Sequence, residues 1–431
     1  MRSAFLPRLF ARHDIFYGWA VVAVIFLTML STSAAMGMVG VLMLPLKTEF
    51  GWDLGGISGA LALRVSLYGI VAPFAAALFQ RYGVRPVVAT ALGLIVTGLL
   101  LASRVTELWQ LWLTWGVMIG VATGVTANVL GATVATRWFT NRRGLVIGVL
   151  SASNATGQLL FLPVAAWLAE NMGWRFAMVP AGLLCILCML LVILIVRDHP
   201  GDVNVPSYGD TSVVPALSRR GGPNALIVSL AALRQAVANR TFWILAGTFF
   251  VCGLSTSGLV QNHFIPLCHD FGIATVTASG ILALMGAFDF VGTIISGWLS
   301  DRYDNRALLC WYYGLRGLSL LVLPYTNFSL YGLSIFAVFY GVDWIATVPP
   351  TVKMTSQAFG REGGPVVFGW IFLAHQLGSA TAAVGAGLSR DELLTYLPAF
   401  AAAGIACVVA SIAVLTIRKA TLEIAVRGAS S

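Results

Sequence analysis

Charge is what this sequence has least of. Only 10% of its 431 residues are Asp, Glu, Lys or Arg, against roughly 25% in a water-soluble domain, whose surface has to face water. So few charges cannot cover a water-facing exterior of this size, and most of the outside must therefore face lipid. A soluble enzyme becomes a poor reading at this step. Nucleic-acid binding is a poor reading too, despite a net charge of +9, because the basic excess sits in short loops. Cysteine is also scarce. The six present lie in or beside apolar runs without metal or disulfide spacing, and the Cys185-x-x-Cys188 pair falls inside a hydrophobic run, where small core residues are expected. No G-x-x-x-x-G-K-[ST] phrase occurs, so any work must draw on a gradient. No nucleophile–base pair stands at a catalytic spacing. The expectation is no enzymatic activity, no cofactor and no metal.

What the chain has instead is apolar length. Hydrophobic residues make up 58% of it, and the mean hydropathy is +0.86. A helix needs roughly 20 mostly apolar residues to cross a bilayer. Runs of that kind fall at 16–41, 57–79, 86–103, 109–135, 144–169, 174–196, 241–267, 276–299, 307–325, 329–352, 364–388 and 395–417. These twelve predict an all-α polytopic membrane protein. The first run is too long and too poorly flanked for a cleaved signal peptide and reads as a retained span. Basic residues set the expected orientation. Of the 26 Lys and Arg, twenty lie in one alternating set of loops and tails, while the other set holds only Lys47, Arg104, Arg175 and Arg390. Arg64 and Arg316 fall inside spans. Both termini are therefore expected in the cytoplasm.

One stretch, 197–240, is unlike the rest, with Pro200, Pro206, Pro215 and Pro223 and several Gly. It reads as a cytoplasmic linker with a short surface helix near Ala225–Val237. It divides the chain into a six-span half at 1–196 and a second at 241–418, followed by a cytoplasmic tail at 419–431. The halves share a phrase. After span two the chain reads Ala76-Ala-Leu-Phe-Gln80-Arg81-Tyr-Gly83-Val-Arg85, and after span eight Gly297-Trp-Leu-Ser-Asp301-Arg302-Tyr-Asp304-Asn-Arg306. Internal repetition of this sort marks transporters whose halves rock about a central site. The phrase resembles the G-x-L-x-D-R-x-G-x-R loop of the major facilitator superfamily. The second copy departs from it at Asp304, the first at Ala76 and Gln80. The resemblance implies the major facilitator fold, twelve transmembrane helices in two six-helix halves, and alternating access. It also implies a conformational latch built from Asp301, Arg302 and Arg306, with Arg81 and Arg85 as the counterparts in the first half.

Two further passages resemble the monocarboxylate transporters and their bacterial relatives. One is the opening of span one, Asp14-Ile-Phe-Tyr17-Gly18-Trp19; the other is the start of span five, Trp138-Phe139-Thr-Asn-Arg142-Arg143-Gly-Leu145-Val-Ile-Gly148. The G-x-x-x-G-P phrase of drug/proton antiporters is missing from span five, which counts against multidrug export.

Ionisable groups inside a span cost a few kcal/mol on insertion scales and normally face a cavity or a partner. Five sit well inside, namely Arg64, Asp289, Arg316, Asp343 and His375, with His263 nearer the end of span seven. Asp289 is a candidate proton carrier; the alternative is a buried salt bridge with Arg316 or Arg64. Related carriers follow the Asp at this place with an Arg four residues later, and here that position is Thr293. His375, beside Gln376, matches the place of a Lys in relatives that exchange dicarboxylates. It could meet an anion when protonated, on a helix whose Gly369, Gly378, Gly385 and Gly387 favour close packing. Gln261, Asn262 and His263 point in three directions about 100° apart, so at least one is expected to face the cavity. The resemblance places spans one, four, seven and ten around that cavity, which adds Asn128, Tyr340, Asp343 and Trp344 as solute contacts. Arg64 either faces the cavity or pairs. Arg316 reads as one partner of a structural ion pair ahead of a solute contact, and Asn154 and Gln158, four apart on span five, either bond between helices or line the interface.

Together these features predict a proton-coupled symporter for a small organic acid of the monocarboxylate kind in the bacterial inner membrane. Its expected partners are the solute, protons and the lipid bilayer, without nucleic acid, and a monomer is expected to suffice. Thr293 keeps open a planar, weakly charged solute such as a riboflavin-like vitamin. A membrane sensor that does not transport is the rival from another class, although 197–240 is too short and plain for a signalling domain.

Overall fold

The computed structural model describes residues 16–213 and 224–418. Asp14 of the opening motif, Pro215 and Pro223 of the linker, and the 419–431 tail lie outside them. Helix follows helix. In lipid the backbone has to satisfy its own hydrogen bonds, and a helix does so within one segment. Among the described residues the only extended pairing is a single bridge between Phe139 and Tyr208.

Twelve spans follow in order. Spans one to six are Gly18–Gly37 continued by Val39–Phe50, Leu54–Tyr82, Val84–Ala102, the stretch from Leu108 to Trp138, Arg143–Met172, and Trp174–Ala177 continued by Val179–Ile195. A helix at Ala225–Val237 precedes span seven, which runs from Arg240 to Asp270. Spans eight and nine are Thr275–Ser300 and Asn305–Val322. Span ten is Leu330–Asp343 with a second piece at 348–359, span eleven is 361–393, and span twelve is Leu397–Leu415.

Local chemistry sets many of these boundaries. Asp53 caps span two, its carboxylate accepting from the Gly56 N–H at 2.7 Å. Gly83 turns the chain between spans two and three at φ 92°, and Gly360 separates ten from eleven at φ 80°, a region that penalises a side chain. The second copy of the repeated phrase needs no such glycine. Asp304 sits there at φ −64° and caps span nine by accepting from the Arg306 N–H at 3.0 Å. That accounts for Asp in the place where the family phrase has Gly.

Regular helical bonding lapses along spans one, four, seven and ten, and also near the start of span six at Met178. Span one lapses at Met38. Span four carries a π-helical segment at Trp112–Ile119 and a turn at Thr126–Ala127. Span seven carries a π-helical segment at Leu254–Val260. Span ten stops at Asp343 and restarts at Val348. Irregular backbone at membrane depth persists only where protein or a wet cavity covers it.

Span six shows the opposite case, a helix that meets lipid. Leu183, Leu187, Leu190 and Leu194 are exposed at helical spacing, while Ala181, Cys185, Cys188 and Val192 are buried on the other face. Cys185 and Cys188 are thus small residues packed inward, and both are free thiols.

By its contacts the chain forms two compact units. Spans one to six with the linker as far as Ser229 make the first; spans seven to twelve, together with Ile147–Ala152, make the second. In the first unit the linker is pinned to helix ends. Asp198 accepts from the Arg85 N–H at 2.8 Å and lies against Gly83, while Ser229 donates to the Pro73 carbonyl at 3.2 Å. In the second unit several helix pairs meet glycine to backbone. Gly253 and Gly378 bring spans seven and eleven together, Gly292 and Gly341 spans eight and ten, and Gly317 and Gly404 spans nine and twelve. Of the span-eleven glycines expected to favour close packing, Gly378 does so; Gly385 and Gly387 have open space where a Cβ would stand.

Candidate functional site

The close crossing of spans eight and ten creates a buried polar cluster in the second unit. A Cβ on Gly292 would collide with the backbone of Val342. At that separation Asp289, three residues before Gly292, reaches the backbone of span ten. Its Oδ1 accepts from the Ile345 N–H at 2.8 Å and from the Thr293 hydroxyl at 2.9 Å, while Oδ2 has no partner. Arg316 arrives from span nine, also buried. Its Nε donates to Asp343 Oδ2 at 3.0 Å, Nη2 to the carbonyls of Asp343 and Trp344, and Nη1 to Cys252 Sγ at 3.1 Å. Thr347 Oγ1 lies 3.2 Å from the same sulfur.

This arrangement follows the polarity of a broken helix. The first piece of span ten ends in free carbonyls, which suit a cation, and the turn that follows it presents the Ile345 N–H, which suits an acid. Arg316 serves the former and Asp289 the latter. Neither cation that the sequence offered to Asp289 bonds to it. Arg316 does form a buried ion pair, but with Asp343, a residue grouped by the sequence with solute contacts. Tyr340, from the same group, is fully buried and donates to the Ser255 carbonyl at 2.7 Å. Trp344 is half-buried, its ring edge-on to Tyr340 at 5.8 Å.

Span eleven lies against span seven through Gly253, which touches the backbone of His375. The His375 ring is half-buried between those of Phe249 and Phe372, at centroid distances of 5.0 and 5.9 Å. Its Nδ1 is 3.4 Å from Gln376 Nε2. His263 turns toward span eleven, with Nε2 3.0 Å from the Ala383 carbonyl, whereas Gln261 and Asn262 are exposed.

The first unit holds a counterpart to Arg316. Arg64 of span two is 7% exposed and donates through Nη1 to the Met36 carbonyl at 2.8 Å, beside the lapse in span one. Its Nε has no partner, and no carboxylate pairs with it among the described residues. Nearby in the same unit, the Ser33 hydroxyl donates to Asn154 Oδ1 at 2.6 Å, and Asn154 Nδ2 to Asn128 Oδ1 at 2.7 Å. This chain joins spans one, five and four. Asn154 therefore bonds between helices, and Asn128 is its acceptor.

The residues expected to form latches stand apart. Asp301 pairs with Lys353 at 3.1 Å, and Lys353 Nζ also donates to the Ser300 carbonyl at 2.5 Å. Arg302 lies over the Trp298 ring at 3.8 Å. Arg306 pairs with Asp304 at 2.7 Å and donates to the Ile417 carbonyl. In the first unit Arg81 lies 5.2 Å over the Tyr82 ring, and Arg85 offers its backbone N–H to Asp198. The two family-like passages do converge. Phe16 and Trp19 pack on Phe139, at 5.6 and 4.9 Å, and Tyr208 of the linker joins the cluster. Sequence reasoning missed Cys252, Thr347, Lys353 and Asp198. Lys353 and Asp198 are charged residues at span ends and could have been weighed; Cys252 and Thr347 carry no signal apart from the fold.

Two six-helix units with ionisable groups buried inside them define a multi-pass membrane transporter. A sequence model of the Major Facilitator Superfamily matches residues 25–383, and the chain belongs to that superfamily. It is 25% identical to the uncharacterized MFS-type transporter YcxA of Bacillus subtilis (strain 168), over 82% of this chain and 84% of that protein. It is 27% identical to monocarboxylate transporter 13 of Rattus norvegicus, over 90% and 86% of the two. Monocarboxylate transporter 12-B of Danio rerio is 25% identical over 93% and 87%. Among solved structures, the human organic anion transporter MFSD10 superposes with a TM-score of 0.71 at 17% identity, covering 92% of this chain and 99% of that one. The fucose:proton symporter FucP of E. coli does so with 0.67 at 14%, covering 96% and 99%. These structural likenesses concern the fold.

Proposed function

We propose that this protein is a secondary active transporter of a small organic acid, monocarboxylate-like, coupled to protons and working by alternating access. The observation that carries the reading is Arg64. A buried guanidinium with no carboxylate partner is costly unless an anion joins it, and a carboxylate fits its fork-shaped donor set. The likeness to proteins named monocarboxylate transporters points to the same class of solute. Asp289 supplies the proton-carrying group. A buried carboxyl with one oxygen unpartnered and no cation bonded to it is best housed as the neutral acid. His375 and Gln376 are further candidates for solute contact, as are Asn128, Gln261, Asn262, His263 and Trp344. Asp301, Arg302, Arg306, Arg81 and Arg85 are candidates for conformational control. We place the protein in the bacterial inner membrane with both termini cytoplasmic, as the basic residues favour, with a linker at 197–240 between halves at 1–196 and 241–418.

The test is uptake of labelled lactate, pyruvate and acetate into proteoliposomes under an imposed pH gradient. Accumulation is expected for at least one, lost in Arg64→Gln and freed from the gradient in Asp289→Asn. If no common monocarboxylate accumulates, the solute class is wrong. A planar, weakly charged solute is the second reading. It is favoured by Thr293, whose hydroxyl donates to Asp289 at the place where the family resemblance implies an arginine. Rescue of a vitamin auxotroph by expression of the protein would decide for it.

A further inference from the structure

We propose that Arg316 is the positioning residue of a proton-operated hinge, in which Asp289 and Asp343 compete for one guanidinium across the break in span ten. The inference rests on the reading of Asp289 as proton carrier and extends it to how a proton would move the backbone.

Charge balance is the starting point. The cluster contains two carboxyls and one guanidinium, all buried: Asp289 is 1% exposed, Arg316 1% and Asp343 4%. Around Asp289 are Arg316 of span nine, Asp343 of span ten and Cys252 of span seven; Tyr313 lies against Arg316, Tyr340 is near Arg316 and Asp343, and His375 of span eleven is beside Cys252. Arg316 is the one permanent cation of this set. One carboxyl is therefore always in excess, and in a low-dielectric interior the excess is relieved by one proton. Each acid also keeps one oxygen unpartnered, Oδ2 of Asp289 and Oδ1 of Asp343. A proton or a reoriented guanidinium could occupy either.

The geometry then couples that proton to the backbone. Arg316 binds the carbonyls of Asp343 and Trp344, and Asp289 binds the Ile345 N–H, so the two residues grip the Trp344–Ile345 peptide, where the break opens, from its two sides. With the proton on Asp289, Arg316 is committed to Asp343 and to the two carbonyls. When Asp289 releases its proton it becomes a second carboxylate drawing on the same guanidinium. The hydrogen bonds of Arg316 to the Asp343 and Trp344 carbonyls weaken, and the break loosens. Gly292 and Gly341 keep spans eight and ten close enough for Asp289 to act directly on span ten. The pair between Arg316 and Asp343 is thereby part of the coupling device as well as a structural tie.

The experiment is hydrogen exchange read by mass spectrometry on the full chain in lipid nanodiscs, without solute. Protection of the peptide spanning Asp343–Thr347 is measured at acidic and alkaline pH and corrected for the intrinsic exchange rate. In the wild type, protection should fall about tenfold on the alkaline side, the equivalent of losing one charge-assisted hydrogen bond. Asp289→Asn removes the titrating acid and keeps its acceptor oxygen, so protection should stay high at both pH values. Asp343→Asn leaves one carboxyl for one guanidinium, and the pH step should vanish there as well. Arg316→Lys keeps the charge but not the fork, so protection should be low throughout. Should that variant not fold, the two near-isosteric Asn variants still decide. A wild-type pH step that survives in Asp289→Asn or in Asp343→Asn overturns the proposal, as does the absence of any step in the wild type. No solute enters the measurement, so its failure is distinct from failure of the organic-acid reading.

Discussion

Among single residues, Glu49 shows how an exposed tie at a helix end responds to pH. It sits at the end of span one and takes a 2.7 Å ion pair from Arg175 and a 2.6 Å hydrogen bond from Trp174 Nε1, both at the start of span six. The Arg175 hydrogen bond first, and the Trp174 bond second, hold its carboxyl below the usual carboxylate range. A depressed acid contributes stability above its unfolded pKa and loses it as pH falls through the folded value. The apparent unfolding temperature of the wild type in detergent should exceed that of Glu49→Gln at neutral pH and converge on it in acid. The gain is small, because both side chains are about 40% exposed. A gap that persists unchanged into acid would show that the tie is not ionic. The bond of Trp174 to Glu49 was not readable from sequence, since 125 residues separate the two.

Buried charges follow the same pattern. That Arg64, Asp289, Arg316 and Asp343 needed partners was evident from their placement in apolar runs. Which partner each found depended on helix crossings that no local pattern encodes. Asp289 took a hydroxyl and a backbone N–H in place of a cation, and Arg64 took a carbonyl. In both units a buried arginine serves carbonyls at a lapse in a helix, Arg64 at Met36 and Arg316 at Asp343 and Trp344.

Among elements, the contrast lies between helices that touch backbone to backbone and helices that do not. Span eleven carries both cases. A Cβ on Gly378 would overlap the backbone of Phe250, whereas Gly385 has nothing within 4 Å. Gly378→Ala should destabilise the protein by about 3 kcal/mol, and Gly385→Ala should be neutral, in thermal unfolding of the purified variants. Equal effects would mean that spans seven and eleven are not this close. The glycine-rich run in span eleven was visible in the sequence, but the pattern does not say which face meets a neighbour. The interruptions in spans one, four, seven and ten were less legible. Span ten reads as an unbroken apolar run from 329 to 352, and its break falls just ahead of Pro349 and Pro350, which cannot donate to the preceding turn, with Arg316 and Asp289 satisfying backbone groups there from outside.

For the whole molecule, an even number of crossings has a direct consequence. Impermeant labels applied to cysteines introduced near the two ends, in a variant whose native cysteines are replaced, should react from the same side of the membrane. Reaction from opposite sides would remove a crossing and with it the assignment of every loop. The repeated phrase after spans two and eight made the two-half arrangement legible, yet its two copies are built differently. The first turns on Gly83 with Asp198 brought from the linker, while the second uses Asp304 as a cap and pairs Asp301 with Lys353.

By itself the sequence determined that this is a twelve-helix membrane protein in two halves, because bilayer thickness and the cost of burying charge act on every short window of the chain. Only the tertiary structure decided what the buried charges do. Their partners are supplied by other helices across glycine crossings, and an ion pair or a carbonyl acceptor is chosen by proximity in space, which residue order along the chain does not specify.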